Sequence, residues 1–248
     1  VPGEEQDDRL TVAAIAVLAY VMADVAHEVV GHGAAFLLSG GRVCTFTTTR
    51  LLEAGGRGNG GNALWDLGGP CGNLVMAGIS WLGLRTSHDS RTRLLWWLTL
   101  AFSLFWAFGY LLFCGVVGRG DWFALILGLP NVWLGRFALA VAGWLLYRWT
   151  VRLLGASLKW PARTVLTAYV AGGSIACAGA VFDPWGPMEM LNSGALSSFG
   201  AAVGLLWTPR WFSGERAEIS HGMGWIISAT VVSILYVWVL GPGIKLHF

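Results

Sequence analysis

Long apolar runs separated by short polar stretches dominate this chain. Seven windows hold roughly the 20 apolar residues that an α-helix needs to cross a bilayer: Leu10–Leu38, Leu64–Leu84, Leu94–Val117, Val132–Leu154, Val165–Phe182, Met190–Trp207 and Met223–Leu240. The stretch Phe123–Pro130 is apolar but too short to span, so it reads as a re-entrant piece or as the first turns of the next helix, broken near Pro130. Met190–Trp207 carries Asn192 with several Ser and Gly residues, which leaves the count at six or seven. One segment has a different character. Val43–Thr49 is β-branched and aromatic, which suits a strand, and the glycines from Gly55 to Gly61 suit a turn. The alternatives there are a surface loop or a short hairpin whose free edge takes up an extended peptide. The expected fold is an all-α polytopic membrane protein, with six to seven transmembrane helices and a small β-hairpin after the first.

Composition agrees with lipid as the main solvent. Hydrophobic residues make up 55% and charged residues 12%, against about 25% charged in soluble domains. The 15 tryptophans and 35 glycines fit interfacial belts and close helix packing. A net charge of +2, with no basic run interleaved with aromatics, argues against nucleic acid. The four cysteines are scattered, so no disulfide framework is expected. The opening PGEEQDDR is acidic and no small-residue cleavage site follows the first run, so that run is expected to be a retained span. With seven spans, one side collects Arg9, Arg85, Arg91, Arg93, Arg148, Arg152, Lys159, Arg163, Arg210 and Arg216. The other collects Arg42, Arg50, Arg57, Arg119 and Lys245. The positive-inside rule then puts the N-terminus in the cytoplasm.

The chemistry concentrates in the first run, where Asp24, His27, Glu28 and His32 fall in one apolar segment. Ionisable residues inside a span are costly and point to function. Two imidazoles with a third ligand suit zinc, whose charge activates water, while a neighbouring glutamate moves the proton. The usual helical zinc motif is H-E-x-x-H, but here the histidines are five apart, in AHEVVGHGAA. At about 100° per residue, five steps leave two side chains ~140° apart on a regular helix. A single wide turn absorbs the extra residue and restores a common face. Gly31 and Gly33 make such a distortion cheaper.

HEVVGHGAAFLLSGGRV resembles the active-site helix of the site-2 protease family of intramembrane zinc metalloproteases, in the form found in bacterial membrane relatives. The following loop is similar to that family's membrane-associated β-hairpin. Gly69-Pro70-Cys71-Gly72-Asn73 is similar to its G-P-x-x-N motif. The elements agree in order and spacing over roughly residues 10 to 84. The lengthened H-E-x-x-G-H also resembles the zinc motif of the soluble dipeptidyl peptidase III family. The resemblance divides the chain into an acidic tail (1–9), a site-2 protease-like membrane core (10–154, hairpin loop 40–63) and additional C-terminal transmembrane helices (155–248).

The resemblance implies an intramembrane zinc metallopeptidase that hydrolyses a peptide bond in or near the bilayer. It makes His27 and His32 metal ligands and Glu28 the general acid/base. The family's third ligand is an aspartate in N-x-x-P-x-x-x-x-D-G, a string absent from this chain. Asp121, in GRGDWFALILGLPNVW, resembles the S/G-D-x-x-x-L…P…W pattern of bacterial relatives and follows the third run, as the family order implies. Asp183 in VFDPWGPMEM and Asp66 are the other candidates. The plain alternative for Asp121 is a helix N-cap. If the spans alternate, His221 lies at the opposite side and drops out as a ligand. Asn73 is a substrate-binding or oxyanion residue by resemblance, or else an interhelical hydrogen bond. Asp24 is an outer partner of an imidazole, or else a contact to a neighbouring helix. The implied partners are lipid and a transmembrane or membrane-proximal peptide, with further membrane subunits if hydrolysis has been lost and the chain serves as a scaffold. A haem, metal or proton-path membrane protein is the third reading. The implied location is the bacterial cytoplasmic membrane.

Overall fold

A computed structural model describes residues 7–53, 63–211 and 217–247 of the chain. It is mostly helical, with a small three-stranded sheet. Four helices among the described residues are long and apolar enough to cross a membrane: Arg9–Leu38, Ser90–Val117, Val132–Ser157 and Met223–Leu240. The other expected windows fall short of that standard. Ala63–Thr86 is a continuous helix but carries Asp66, Pro70, Asn73 and a run of glycines. Ala162–Ala180 is rich in Ala, Gly, Ser and Thr. Met190–Trp207 is not one regular helix: Met190–Phe199 has wide turns, and a tight 3₁₀ stretch over Ala202–Trp211 follows it. Phe123–Pro130 does not begin the next helix, which starts at Val132. After the single turn Asp121–Ala124 it runs through turns to Asn131, whose side chain caps Val132–Ser157.

The first helix is the spine. Ile15, Ala16, Ala19 and Ala23 are wholly buried, where it packs against Ser90–Val117, Ala162–Ala180 and Met223–Leu240. The helices after residue 155 therefore share one core with the helices before it. Outward faces stay apolar, as Trp133, Leu134, Phe137, Ile227 and Trp238 illustrate. Such broad apolar exposure marks a surface that something other than water covers.

Contacts between turns define two ends of the bundle. At one, the Asp8 amide donates to the Ile219 carbonyl (2.8 Å) and the Ala217 amide to the Lys159 carbonyl (2.8 Å). There too Arg91 reaches the His221 carbonyl. The sheet, the Asp121 turn and the Asp183 turn lie at the other.

The hairpin is present, but its turn is not where the glycines suggested. Val43–Phe46 pairs antiparallel with Leu51–Glu53, and the chain reverses over Thr47–Arg50, closed by the Thr47 amide on the Arg50 carbonyl (2.9 Å). The Gly55–Gly61 turn lies outside the described residues. The expected free edge of Val43–Thr49 is also taken. A third strand, Ile244–His247, pairs antiparallel along it, in the order Leu51–Glu53, Val43–Phe46, Ile244–His247. The sequence reading missed this strand, since four residues beyond the last helical window carry too little pattern to be read alone.

Candidate metal centre

The first helix widens over Ala26–His32, where the backbone adopts π turns between regular α segments. The extra residue between the histidines is absorbed there. The two imidazoles share one face, with ring centroids 4.9 Å apart at an interplanar angle of 82°. Gly31 allows the distortion to nest against the second helix, because a Cβ on Gly31 would collide with the Gly68 carbonyl oxygen. Gly72 makes the reciprocal approach to the Ala26 carbonyl. The small residues of GGPCGN thus bring two backbones together.

Each imidazole is oriented through its Nδ1. His32 Nδ1–H donates to the Trp65 carbonyl at 2.6 Å, which fixes the tautomer and leaves Nε2 as a lone pair. His27 Nδ1 lies 2.9 Å from the Asn73 side-chain amide. Asn73 is wholly buried, and its Oδ1 has no hydrogen-bond partner among the described residues. Amide oxygen and nitrogen are assigned from the network, and the rotamer turned by 180° gives Oδ1 the His27 Nδ1–H to accept. His27 then also presents a lone pair at Nε2. Asn73 is thus an interhelical partner of an imidazole, one of the two roles read from the sequence.

Both Nε2 atoms converge on one carboxylate oxygen. Asp121 Oδ2 stands 3.1 Å from His27 Nε2 and 3.4 Å from His32 Nε2. Two glycines aim it: Gly118, at φ +74°, ends the third helix in the left-handed conformation, and Gly120, at φ +97°, turns the chain back. Trp122 Nε1 pins this turn by donating to the Ala107 carbonyl (3.2 Å), within a wide stretch of the third helix, Phe105–Gly109. The cap of Asp121–Ala124 is Gly120 rather than the aspartate, so the Asp121 carboxylate is free to face the imidazoles. Burial would raise that carboxyl, but imidazoles in their protonated form, with Nε2–H facing it in place of the lone pairs a metal would use, outweigh burial and hold the group below the usual carboxylate range.

Glu28 completes the cluster. Candidate donor atoms of His27, Glu28 and His32 lie within 4.8 Å of one another, all three side chains are buried, and together they could hold a metal ion. Glu28 Oε2 is buried without a hydrogen-bond partner among the described residues. Gly69 lies under the pair, where a Cβ would run into both His27 Nε2 and His32 Nε2. A cleft of about 350 Å³ opens onto the cluster, lined among others by Thr49, Tyr110, Trp185 and Ser193. A smaller polar cavity of about 60 Å³ reaches Glu28 from within. Trp106 meets the His27 ring edge to face at 5.4 Å.

The remaining sequence candidates sit elsewhere or farther out. Asp183 is committed to the hairpin: it accepts from the Thr49 hydroxyl and from Thr47 Oγ1 (3.3 Å), lies 3.6 Å from Arg50 Nε, and takes the Trp185 amide at 2.8 Å. Asp66 is buried in the first turn of the second helix, close enough to His32 and Asp121 to feel their charges. Asp24 is wholly buried beside Tyr20 and Tyr236 rather than against an imidazole. His221 pairs with Asp8 at the far end (3.1 Å), as the topology argument required. Sequence reasoning missed the Arg50 clamp, in which the guanidinium stacks on Trp185 at 3.7 Å and bonds Glu189. Its only sequence signal was a charge in TFTTTR facing an acidic, aromatic WGPMEM.

Comparison of the chain with protein-family models, with curated proteins and with solved structures finds no match in any of the three.

Proposed function

We propose that this chain is a membrane-embedded zinc peptidase of the site-2 protease type, with His27, His32 and Asp121 as metal ligands and Glu28 as general acid/base. One observation carries the reading: two imidazole Nε2 atoms and a carboxylate oxygen meet at a single point beside a buried glutamate, and a cleft opens there. The donor set suits zinc, which takes imidazole and carboxylate ligands and leaves a position open in catalytic sites. The unpartnered Glu28 oxygen and the space that a Cβ at Gly69 would fill fit an ion at that point.

Zinc, when bound, would supply a Lewis acid that polarises a peptide carbonyl and acidifies water. The protein does the rest. Asn73 and the Trp65 carbonyl hold the imidazoles at the required tautomer and angle. Glu28 takes a proton from the attacking water at its carboxylate and returns it to the departing amide nitrogen. With Val43–Phe46 paired on both sides, a peptide docking as an added strand would use the outer edge of Leu51–Glu53 or displace Ile244–His247. The helices Ala63–Thr86 and Ala162–Ala180 would cross the bilayer beside the four more apolar ones, packed through their small residues. The Lys and Arg excess at the Asp8 end would face the cytoplasm.

The test is metal analysis of purified protein together with cleavage of a panel of transmembrane model peptides by wild type and Glu28→Gln. Stoichiometric zinc in both, with cleavage only by wild type, is the expected result. A metal-free wild-type protein, or a Glu28→Gln variant as active as the parent, would overturn the proposal.

A further inference from the structure

A second feature lies at the opposite end of the molecule. The helix Val132–Ser157 and the 3₁₀ segment Ala202–Trp211 enclose a cleft of about 340 Å³. Three arginines and three tryptophans furnish it: Trp144, Arg148, Arg152, Trp207, Arg210 and Trp211. Arg148 sits over the Trp144 ring at 4.8 Å and Arg152 over the Trp211 ring at 5.5 Å. No carboxylate among the described residues pairs with any of the three guanidinia.

The cleft is held in shape. Tyr147 donates its hydroxyl to the Ala201 carbonyl (3.1 Å) and accepts the Gly204 amide (2.6 Å), which ties the 3₁₀ segment to the helix. Gly155 lets the two approach, since a Cβ there would strike Trp211 and the Thr208 carbonyl.

Three cations gathered in one cleft, without a carboxylate partner among the described residues, repel each other, and an anion removes that cost. Arginine forks match phosphate oxygens geometrically, and indoles prefer the headgroup level of a bilayer. The position agrees. Val132–Ser157 is one of the four helices able to cross a membrane, and at 1.5 Å per residue Arg152 stands ~24 Å along it from Arg136, near the opposite interface. The same end collects Arg9, Arg85, Arg91, Arg93, Lys159 and Arg163, the excess that marks the cytoplasmic side, where the anionic lipids are concentrated.

We infer that this cleft binds the headgroup phosphate of an anionic phospholipid, with the three guanidinia on the phosphate and the indoles against glycerol and upper acyl chain. The inference is independent of the metal centre. It is tested on the purified full chain in detergent by native mass spectrometry, titrating phosphatidylglycerol and, separately, phosphatidylcholine. Phosphatidylglycerol adducts should form at lower concentration and survive higher activation. The variant R148Q/R152Q/R210Q should lose about fivefold in phosphatidylglycerol affinity per guanidinium removed, with phosphatidylcholine unaffected. The paired control R42Q/R119Q, at the other end, should bind like wild type. Inorganic phosphate at equal concentration should fail to displace the lipid. Equal phosphatidylglycerol binding by the triple variant and wild type, an equal loss in the control, or full displacement by inorganic phosphate would each overturn the assignment. Should the triple variant fail to fold, R210Q alone, at an exposed position, decides: a fivefold loss supports the site and an unchanged affinity sinks it.

Discussion

His27 and His32 stand five residues apart in sequence, yet both present Nε2 to the same Asp121 oxygen, at 3.1 and 3.4 Å. On a regular helix they would diverge by ~140°; the wide turn over Ala26–His32 removes that divergence.

Metal retention should therefore depend on these three residues and not on the rival aspartate. His27→Ala, His32→Ala and Asp121→Asn should each lower zinc content in purified protein to background. Asp183→Asn should leave it at the wild-type level. Asn73→Ala should weaken zinc affinity by ~10–100-fold, the usual effect of removing a hydrogen-bond partner behind a ligand, as read by competition with a chromophoric chelator.

A methyl group at Gly69 should be enough to damage the proposed centre, because a Cβ there meets both imidazole Nε2 atoms. Gly69→Ala is expected to lose zinc and about 1–3 kcal/mol of stability through overpacking. Gly78→Ala, on the same helix with open space around it, should do neither. Thermal unfolding and metal content of the two variants, measured side by side, check the contrast.

Asp183 should matter to the hairpin. Asp183→Ala removes the acceptor of the Thr47 and Thr49 hydroxyls and one of the two acidic neighbours of Arg50. A loss of about 1.5–3 kcal/mol is expected, the range for hydrogen bonds to a charged group. Amide exchange over Thr47–Arg50 should quicken while the helices stay protected.

The far end offers a pH test. Asp8 caps the first helix, accepting from the Thr11 amide (3.1 Å) and hydroxyl. Its carboxyl is lowered from the ordinary value chiefly by the Thr11 hydroxyl, despite an opposing effect of burial. A carboxyl lowered in the folded state stabilises above its unfolded value and loses that contribution as pH falls through its folded one. Asp8→Ala should cost about 1 kcal/mol at neutral pH, and the gap to wild type should close as the medium is acidified below the usual carboxylate range. Denaturant unfolding of both proteins across that range provides the measurement.

Removal of the third strand should expose the central one. A chain ending at Gly243 lacks Ile244–His247, so the edge of Val43–Phe46 that it covers becomes free. Faster amide exchange at Cys44–Phe46, without loss of zinc, is the expected outcome. Unchanged exchange would mean that the third strand contributes no protection.

The sequence by itself determined that the chain is mostly apolar helix with segments long enough to cross a membrane, and that ionisable residues gather in the first of them. Both rest on local facts: apolar length suits lipid, and ionisable groups within an apolar run require a reason to be there. It also set the condition for a shared face, a wide turn between His27 and His32, because their angle on a regular helix follows from residue spacing alone; the structure supplies that turn. The ranking of Asp121 over Asp183 could not be derived this way. Both aspartates fall at the same end of the bundle, and only packing shows one meeting the imidazoles and the other held by Thr47, Thr49 and Arg50. The third strand, the role of Asn73 behind His27, and the arginine-tryptophan cleft likewise join residues dozens of positions apart. Such contacts depend on how helices cross, and those crossings are set by glycine-to-backbone approaches, Gly31 on Gly68 and Gly155 on Thr208, whose partners no local pattern names.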